Sequence, residues 1–206
     1  MRILNFGTIM KNLFTTLFTL TLLITSMNTW AQTTFKADPE NSIVNWKGFK
    51  PTGDHYGSLV LSEGYFLMEK DKLVGGEFKM DMNSIKVLDI PADDEKNGKL
   101  ERHLKNDDFF GVNKYPESSF VLKSSEKEGD RILIKGDLKI KDKTNPVSFL
   151  AKLEMKGKEL VLTSEPFNID RSKWDIEYKS KSFFENLADN FIYDDMEISV
   201  EVKAMK

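Results

Sequence analysis

The sequence predicts an all-β fold in which antiparallel strands follow one another through short turns and close into a barrel. Apolar and polar residues alternate with a period of two through much of residues 42–204, a pattern typical of strands with one dry and one wet face. Turn residues such as Gly, Asn, Asp and Pro separate the alternating segments. Closure into a barrel would remove the exposed edges that an open sheet of this size presents.

Four segments show the alternation most clearly, and with five less regular ones they give about nine strands. Large apolar residues would face inward, and lysine and carboxylate side chains would face the solvent. The inward residues in chain order are Val74, Gly76, Phe78, Met80, Met82, Ile132, Ile134, Gly136, Leu138, Ile140, Val147, Phe149, Ala151, Leu153, Met155, Met196, Ile198, Val200, Val202 and Ala204. The less regular strands are expected at Ser42–Phe49, Ser58–Glu63, Tyr65–Lys70, Ser118–Ser124 and Glu159–Phe167.

Three regions depart from the alternation. Residues 52–57, "TGDHYG", are expected to form a turn or tight loop between the first two strands. Residues 91–108 carry Leu100 and Leu104 at helical spacing, which predicts a loop and then a helix of two or three turns near residues 99–108. Residues 170–191 hold aromatic residues among charged ones without alternation, which predicts a long loop that is either a lid or packing material.

The first 31 residues have the composition of a secretory signal peptide. Two basic residues and no acidic ones accompany an apolar run at residues 13–24, which is shorter than the roughly 20 residues of a membrane-spanning helix. Cleavage is expected between Ala31 and Gln32, leaving a domain at residues 32–206 that is periplasmic or secreted and not stably inserted in the membrane. Met10 is an alternative start to Met1, and an uncleaved amphipathic anchor is the competing interpretation.

Charge and cysteine content exclude several classes of function. The chain has 30 basic and 33 acidic residues, and removal of Arg2 and Lys11 with the leader leaves 28 against 33, a net charge of −5. This balance disfavours nucleic acid and anionic membranes as partners. The chain has no cysteine, so disulfides and thiol redox chemistry are excluded.

Four segments, taken in order, resemble one protein family: "WKGFKPTGDHYGSLVLSEGYF", "GGEFKMDMNSIKVLDI", "LERHLKNDDFFGVNKYPESSF" and "IKGDLKIKDKTNPVSF". They are similar to the YceI-like exported proteins, which bind lipids or polyisoprenoids in a lipocalin-like barrel. The most specific segment is "HLKNDDFFGVNKYPESSF", where Asn106 replaces the family's usual Ser and Gly111 its usual Asp. In the last segment Lys139 replaces Thr and Asp142 replaces Gly.

The resemblance implies an extended eight-stranded antiparallel barrel with one short helix near its mouth, and family members with this barrel are often homodimers. Its apolar interior would hold a polyisoprenoid, an isoprenoid quinone or a fatty acyl derivative, without a cofactor and without catalysis. We expect the ligand-binding residues to be Phe78, Met80, Met82, Leu104, Phe109, Phe110, Phe120, Phe149 and Trp174.

The candidates for contact with a polar head group are His55, His103 and Arg171. An arginine suits bidentate contact with a phosphate or carboxylate, but each of the three side chains could instead have a structural role. The two histidines lack the His-x-x-x-His spacing of a metal site. No catalytic residue is predicted, because Ser58 lacks the context of an activated nucleophile.

Two other functions remain open at the level of the sequence. A barrel filled by its own side chains would indicate a stress-response or structural interaction protein, because large apolar residues such as methionine also fill gaps in ordinary cores. An enzyme acting on a lipid would need a polar triad or a carboxylate pair directed into the barrel, and the predicted inward faces carry few polar residues.

Overall fold

A computed structural model describes residues 31–206 and confirms the all-β prediction. The signal-peptide prediction, apart from Ala31, lies outside the described residues. The strands are β1 (Gln32–Ala37), β2 (Ile43–Lys50), β3 (Gly53–Glu69), β4 (Lys72–Val87), β5 (Glu117–Glu128), β6 (Arg131–Ile140), β7 (Lys143–Lys156), β8 (Glu159–Ser164), β9 (Phe167–Asp170) and β10 (Asp195–Met205), with one α-helix, α1 (Glu95–Lys105). Within this part of the chain no helix is long and apolar enough to span a bilayer.

Eight of the strands form a closed antiparallel ring. Strands β2 to β8 pair with their neighbours in chain order, and β10 pairs with both β2 and β8. The short strands β1 and β9 extend this ring: β1 lies against β3 and β10, and β9 lies against the first residues of β10. Closure leaves β10 without a free edge along most of its length.

Strand β3 differs from the prediction because it is one strand of 17 residues and not two. Gly64, which separates the two predicted strands, pairs directly with Phe78 of β4. The chain turns at Pro51 and Thr52, so His55 lies on β3 and not at a loop tip. Register shifts along the β3–β4 pairing place Leu73, and not Val74, in the buried core.

The helix begins four residues earlier than predicted, because its N-cap is Asp94. The Asp94 carboxylate accepts a hydrogen bond from the Lys96 N–H at 2.8 Å, which satisfies a free donor of the first turn. The buried Asn97 amide donates to the carbonyls of Val87 and Ile90 at 3.0 and 2.7 Å. These bonds hold α1 against the end of β4, and we call this end of the barrel the helix end.

The buried apolar residues form two clusters along the barrel. The helix-end cluster includes Trp46, Met82, Ile85, Leu104, Phe109, Val112, Ile140, Ile169, Trp174 and Ile176. The opposite-end cluster extends from the middle of the barrel to the β3–β4 and β7–β8 turns and includes Phe66, Met68, Leu73, Phe78, Met80, Ile134, Phe149, Ala151, Leu160 and Ala204.

Candidate functional site: an apolar cavity inside the barrel

A cavity of about 110 Å³ lies inside the barrel, bounded by residues of both clusters. Among the residues that line it, the hydroxyl of Ser118 and the indole N–H of Trp46 are the only polar side-chain groups. No charged side chain lines it. A cavity of this composition suits an uncharged hydrocarbon chain, because burying an unpaired charge there would be costly.

Strand alternation positions the lining. Met196, Ile198, Val200 and Val202, at every second position of β10, all face the cavity, which therefore follows the strand for about 20 Å at 3.3 Å per residue. Ile198 and Val200 are only half-buried although they point into the barrel. The interior thus retains apolar surface that the protein's own side chains do not cover.

Six of the nine predicted ligand-binding residues line the cavity: Phe78, Met80, Met82, Phe110, Phe120 and Phe149. The other three, Leu104, Phe109 and Trp174, are buried in the helix-end cluster and are not among the lining residues. Trp174 is held in place by its indole N–H, which donates to the Leu138 carbonyl at 3.1 Å. These three side chains therefore support the wall and the end of the barrel.

Sequence reasoning did not single out several lining residues, including Val44, Phe66, Phe167 and Ile169. The inward faces of β6 and β10 did contain the signal for further lining residues, because their alternation was predicted correctly. On β7 the alternation holds from Val147 to Leu153, but Met155, which was expected to face inward, is 52% exposed near the end of the strand. Trp46 is buried and also lines the cavity. Its indole N–H has no hydrogen-bond partner.

Glycines opposite the aromatic side chains set the position of two rings. A Cβ atom at Gly64 would lie 2.4 Å from Cδ1 of Phe78, and one at Gly136 would lie 2.4 Å from Cζ of Phe120. Real Cβ atoms do not approach other heavy atoms so closely, so each ring occupies space that a larger residue would fill. The glycines let both rings lie back against the barrel wall beside the cavity.

The cavity is smaller than the 300–1,000 Å³ of most small-molecule sites. Its volume lies below the few hundred Å³ that would distinguish a ligand site from a filled core. Methionine side chains adapt their shape readily, and two of them, Met80 and Met82, line the cavity with flanking phenylalanines. Admission of a long chain therefore requires these side chains to change rotamer.

His55 lies at the helix-end rim of the barrel. Gly48 and Lys50 continue the inward face of β2 beyond the cavity-lining Trp46, and His55 pairs with Gly48. The His55 ring contacts Asp89 through Nδ1 at 2.7 Å and Lys50 through Nε2 at 3.3 Å. The rim therefore carries a polar cluster of two basic residues and one carboxylate next to an apolar interior.

Asp89 is the anion of this cluster. Burial raises its pKa, but hydrogen bonds from His55 and from the Tyr56 N–H have the opposite and larger combined effect, so the pKa lies below its ordinary value. The carboxylate is thus held ionised at the rim.

His103 has a different environment. Its Nε2 lies 3.1 Å from Asp108 Oδ2, and its ring packs edge-on against Phe109 and Tyr178 with centroid distances of 5.0 and 4.7 Å. It is not among the residues that line the cavity. His103 therefore connects α1 to the loop that carries Tyr178.

Arg171 is 1% exposed and is bound on several sides by the protein. Its guanidinium donates to the carbonyls of Tyr193, Ile176 and Ile192 at 3.1, 2.6 and 3.1 Å, and its Nη2 lies 3.3 Å from Asp194 Oδ1. Burial lowers its pKa, and Asp194 and Asp170 oppose that effect. Its burial keeps the guanidinium out of reach of a head group, and its bonds to carbonyls make Arg171 a clamp on the chain around residues 176–194.

Residues 31–206 contain no group of three His, Asp or Glu side chains placed to hold a metal ion.

Comparison with known proteins identifies the family of the chain. A profile described as "YceI-like domain" matches residues 35–204. The chain belongs to the YceI family. It is 28% identical over 126 residues to Protein YceI of Shigella flexneri, covering 61% of this chain and 60% of that protein.

A second relative is UPF0312 protein plu2095 of Photorhabdus laumondii, 30% identical over 104 residues, with coverage of 50% of this YceI-family chain and 51% of the relative. The chain thus spans about half to three-fifths of the length of these relatives. Among solved structures, BcnA of Burkholderia cenocepacia superposes with a TM-score of 0.66 at 17% identity, over 82% of this chain and 99% of BcnA.

A further neighbour is a polyisoprenoid-binding domain from Saccharophagus degradans, with a TM-score of 0.59 at 11% identity, over 83% of this chain and 97% of that domain. At these identities the likeness to both solved structures shows a shared fold alone.

Proposed function

We propose that this YceI-family protein is a non-catalytic carrier for a long apolar chain, exported to the periplasm or secreted. The observation that supports the proposal is the apolar cavity that follows β10 through a closed ring of strands. The guest would be a polyisoprenoid, an isoprenoid quinone or a fatty acyl derivative. The Saccharophagus degradans domain named for polyisoprenoid binding supports this choice of ligand class.

Binding would be driven by removal of the guest from water, at about 0.8 kcal/mol per CH₂ group. We propose that Phe78, Met80, Met82, Phe110 and Phe120 contact the guest, together with Phe149. Rotamer changes of the methionines and of Phe110 would widen the cavity to admit it. Leu104, Phe109 and Trp174 would act from behind this lining, by holding the helix-end cluster in place.

The guest would enter at the helix end. The opposite end is closed by side chains that are at most 4% exposed and do not line the cavity, among them Met68, Leu73, Leu160 and Ala204. At the helix end, Phe110 is only half-buried and lines the cavity. A polar head group would then lie at the rim near His55 and Lys50, while Arg171 and His103 act on the structure around it.

A matched pair of tryptophan substitutions tests the carrier function. Val147→Trp places an indole in the cavity, whereas Ser148→Trp places one on the exposed face of the same strand. Displacing two or three CH₂ groups of guest costs about 2 kcal/mol, so affinity for a fluorescent acyl or prenyl probe should fall more than tenfold for Val147→Trp alone. Equal probe binding by both variants would contradict the proposal.

Native mass spectrometry of purified protein, followed by solvent extraction, is the complementary measurement. We expect an apolar molecule to co-purify. If none does, and no probe binds at micromolar concentration, the alternative gains support. That alternative is a stress-response or structural interaction protein with a filled barrel, and the small cavity volume of about 110 Å³ is the observation that favours it.

A further inference from the structure

The exposed aromatic side chains of residues 31–206 are all at the helix end. They are Tyr56, Phe183, Phe184 and Tyr193, with exposures of 46, 51, 48 and 48%. Tyr56 lies three residues from the start of β3, and the Tyr193 N–H donates to the Phe49 carbonyl at the end of β2. Surface aromatics scattered singly need no explanation, but their collection at one end does.

Phe183 and Phe184 are adjacent on a loop whose two ends are tied together. The Ile192 N–H donates to the Lys179 carbonyl, and the Ser182 hydroxyl donates to the Asp194 carboxylate at 2.6 Å. Arg171 binds the carbonyls on both sides of this neck. The fold therefore holds in place a loop that exposes two neighbouring phenyl rings to solvent.

Lysines accompany the aromatic rings at this end. The ammonium group of Lys181 lies 3.7 Å from the centroid of Phe191, and those of Lys47 and Lys179 lie 5.2 and 5.6 Å from the rings of Phe49 and Tyr178. Aromatic rings beside lysines are typical of protein surfaces at the headgroup region of a bilayer.

The charge of the loop indicates which kind of membrane suits it. Between residues 179 and 192, Lys179 and Lys181 are balanced by Glu185 and Asp189. Attraction to an anionic surface would need an excess of positive charge. Contact would instead depend on burial of Phe183 and Phe184, which salt does not screen.

We propose that four exposed aromatic residues at the helix end, Phe183, Phe184, Tyr56 and Tyr193, form a surface that docks on a zwitterionic lipid bilayer. This inference rests on the proposed carrier function, because a water-insoluble guest must come from a membrane and return to one. Aromatic side chains also lie between the loop neck and the cavity: Tyr178 packs on Phe109 at a centroid distance of 5.4 Å, and the next residue, Phe110, lines the cavity.

Sedimentation with phosphatidylcholine vesicles tests the inference on the whole protein. The double variant Phe183→Ser/Phe184→Ser should bind at least tenfold more weakly than the wild type, because each phenyl ring buried in the bilayer boundary contributes about a tenfold factor. The matched control is Val60→Ser/Met155→Ser, which removes equally exposed apolar side chains outside the loop. The control should bind as the wild type does, at both low and high salt.

Three outcomes would overturn the docking surface. They are failure of the wild type to bind the vesicles, equal loss of binding in the control, and a concentration-dependent dimer that the double variant abolishes, which would assign the patch to a second copy. Binding of the soluble probe is measured without vesicles. A wild type that binds the probe but not the vesicles therefore loses this inference and keeps the carrier function.

Discussion

The phenyl ring of Phe78 lies across Gly64, its direct partner in the β3–β4 ladder. A methyl group at Gly64 would lie 2.4 Å from Cδ1 of that ring and 2.9 Å from the Glu77 carbonyl oxygen. The ring also contacts Phe66 at a centroid distance of 4.7 Å. The position of one lining residue of the cavity thus depends on the absence of a side chain on the neighbouring strand.

Gly64→Ala should reduce the free energy of unfolding by about 1–3 kcal/mol, because the new methyl forces Phe78 out of its position. In a Phe78→Ala background the cost should be smaller by about 1 kcal/mol. Gly75→Ala is the control, since a Cβ there meets its nearest atom at an ordinary 3.5 Å. Urea denaturation gives the free energy of unfolding of all four variants. If the losses caused by Gly64→Ala and Phe78→Ala simply add in the double variant, the contact between the two positions is contradicted.

Arg171→Met should reduce the free energy of unfolding by about 3–5 kcal/mol, because it leaves Asp194 without its cationic partner and three carbonyls without a donor. The exposed Arg102→Met is the comparison and should change stability by less than about 0.5 kcal/mol. Limited proteolysis should cut the Arg171→Met variant within residues 179–192. A loop that stays resistant would show that other contacts hold its neck.

Asp89→Asn should alter the dependence of stability on pH. The pKa of Asp89 is lowered in the folded protein, so its stabilising effect is complete above the unfolded pKa of about 3.9 and is lost as the pH falls through the folded value. The wild type should therefore lose more stability than Asp89→Asn between about pH 5 and pH 2. Asp93→Asn, at an exposed position in the same segment, should follow the wild-type curve.

Asp94→Ala should destabilise the protein by about 1 kcal/mol, because the first turn of α1 loses its cap. Asp93→Ala should have little effect, since Asp93 is not the capping residue. Thermal unfolding monitored by circular dichroism compares the two. Equal melting temperatures for both variants would show that packing on β4 holds the helix without the cap.

Much of the fold could be predicted from the sequence, because period-two alternation reports directly which side of a strand is buried. The inward faces of β6 and β10 were predicted correctly, and the one helix was expected close to its position. The prediction was wrong at Gly64, where β3 was divided into two strands: the strand continues there, and the ring of Phe78 opposite needs the space that a glycine leaves. The start of α1 was missed because Asp94 caps a turn that carries no apolar residue.

The candidate site was less predictable, because cavity volume and side-chain partners depend on packing in three dimensions. Alternation indicated that Met80 and Phe120 face inward, but it could not show how little space remains between them. A structural role for Arg171 was left open by the sequence but its partners could not be named, because they are backbone carbonyls, which every residue has. In the folded chain they are those of Ile176, Ile192 and Tyr193. Only the folded chain brings them together.

The pairing of β10 with both β2 and β8 means that ring closure joins segments far apart in the chain, such as Val44 and Val200. Such long-range pairing makes folding slow compared with proteins dominated by local contacts. A nascent chain that stops before Asp195 would leave two unpaired edges, on β2 and on β8, each able to recruit another strand. Premature termination should therefore yield aggregates and not a smaller soluble barrel.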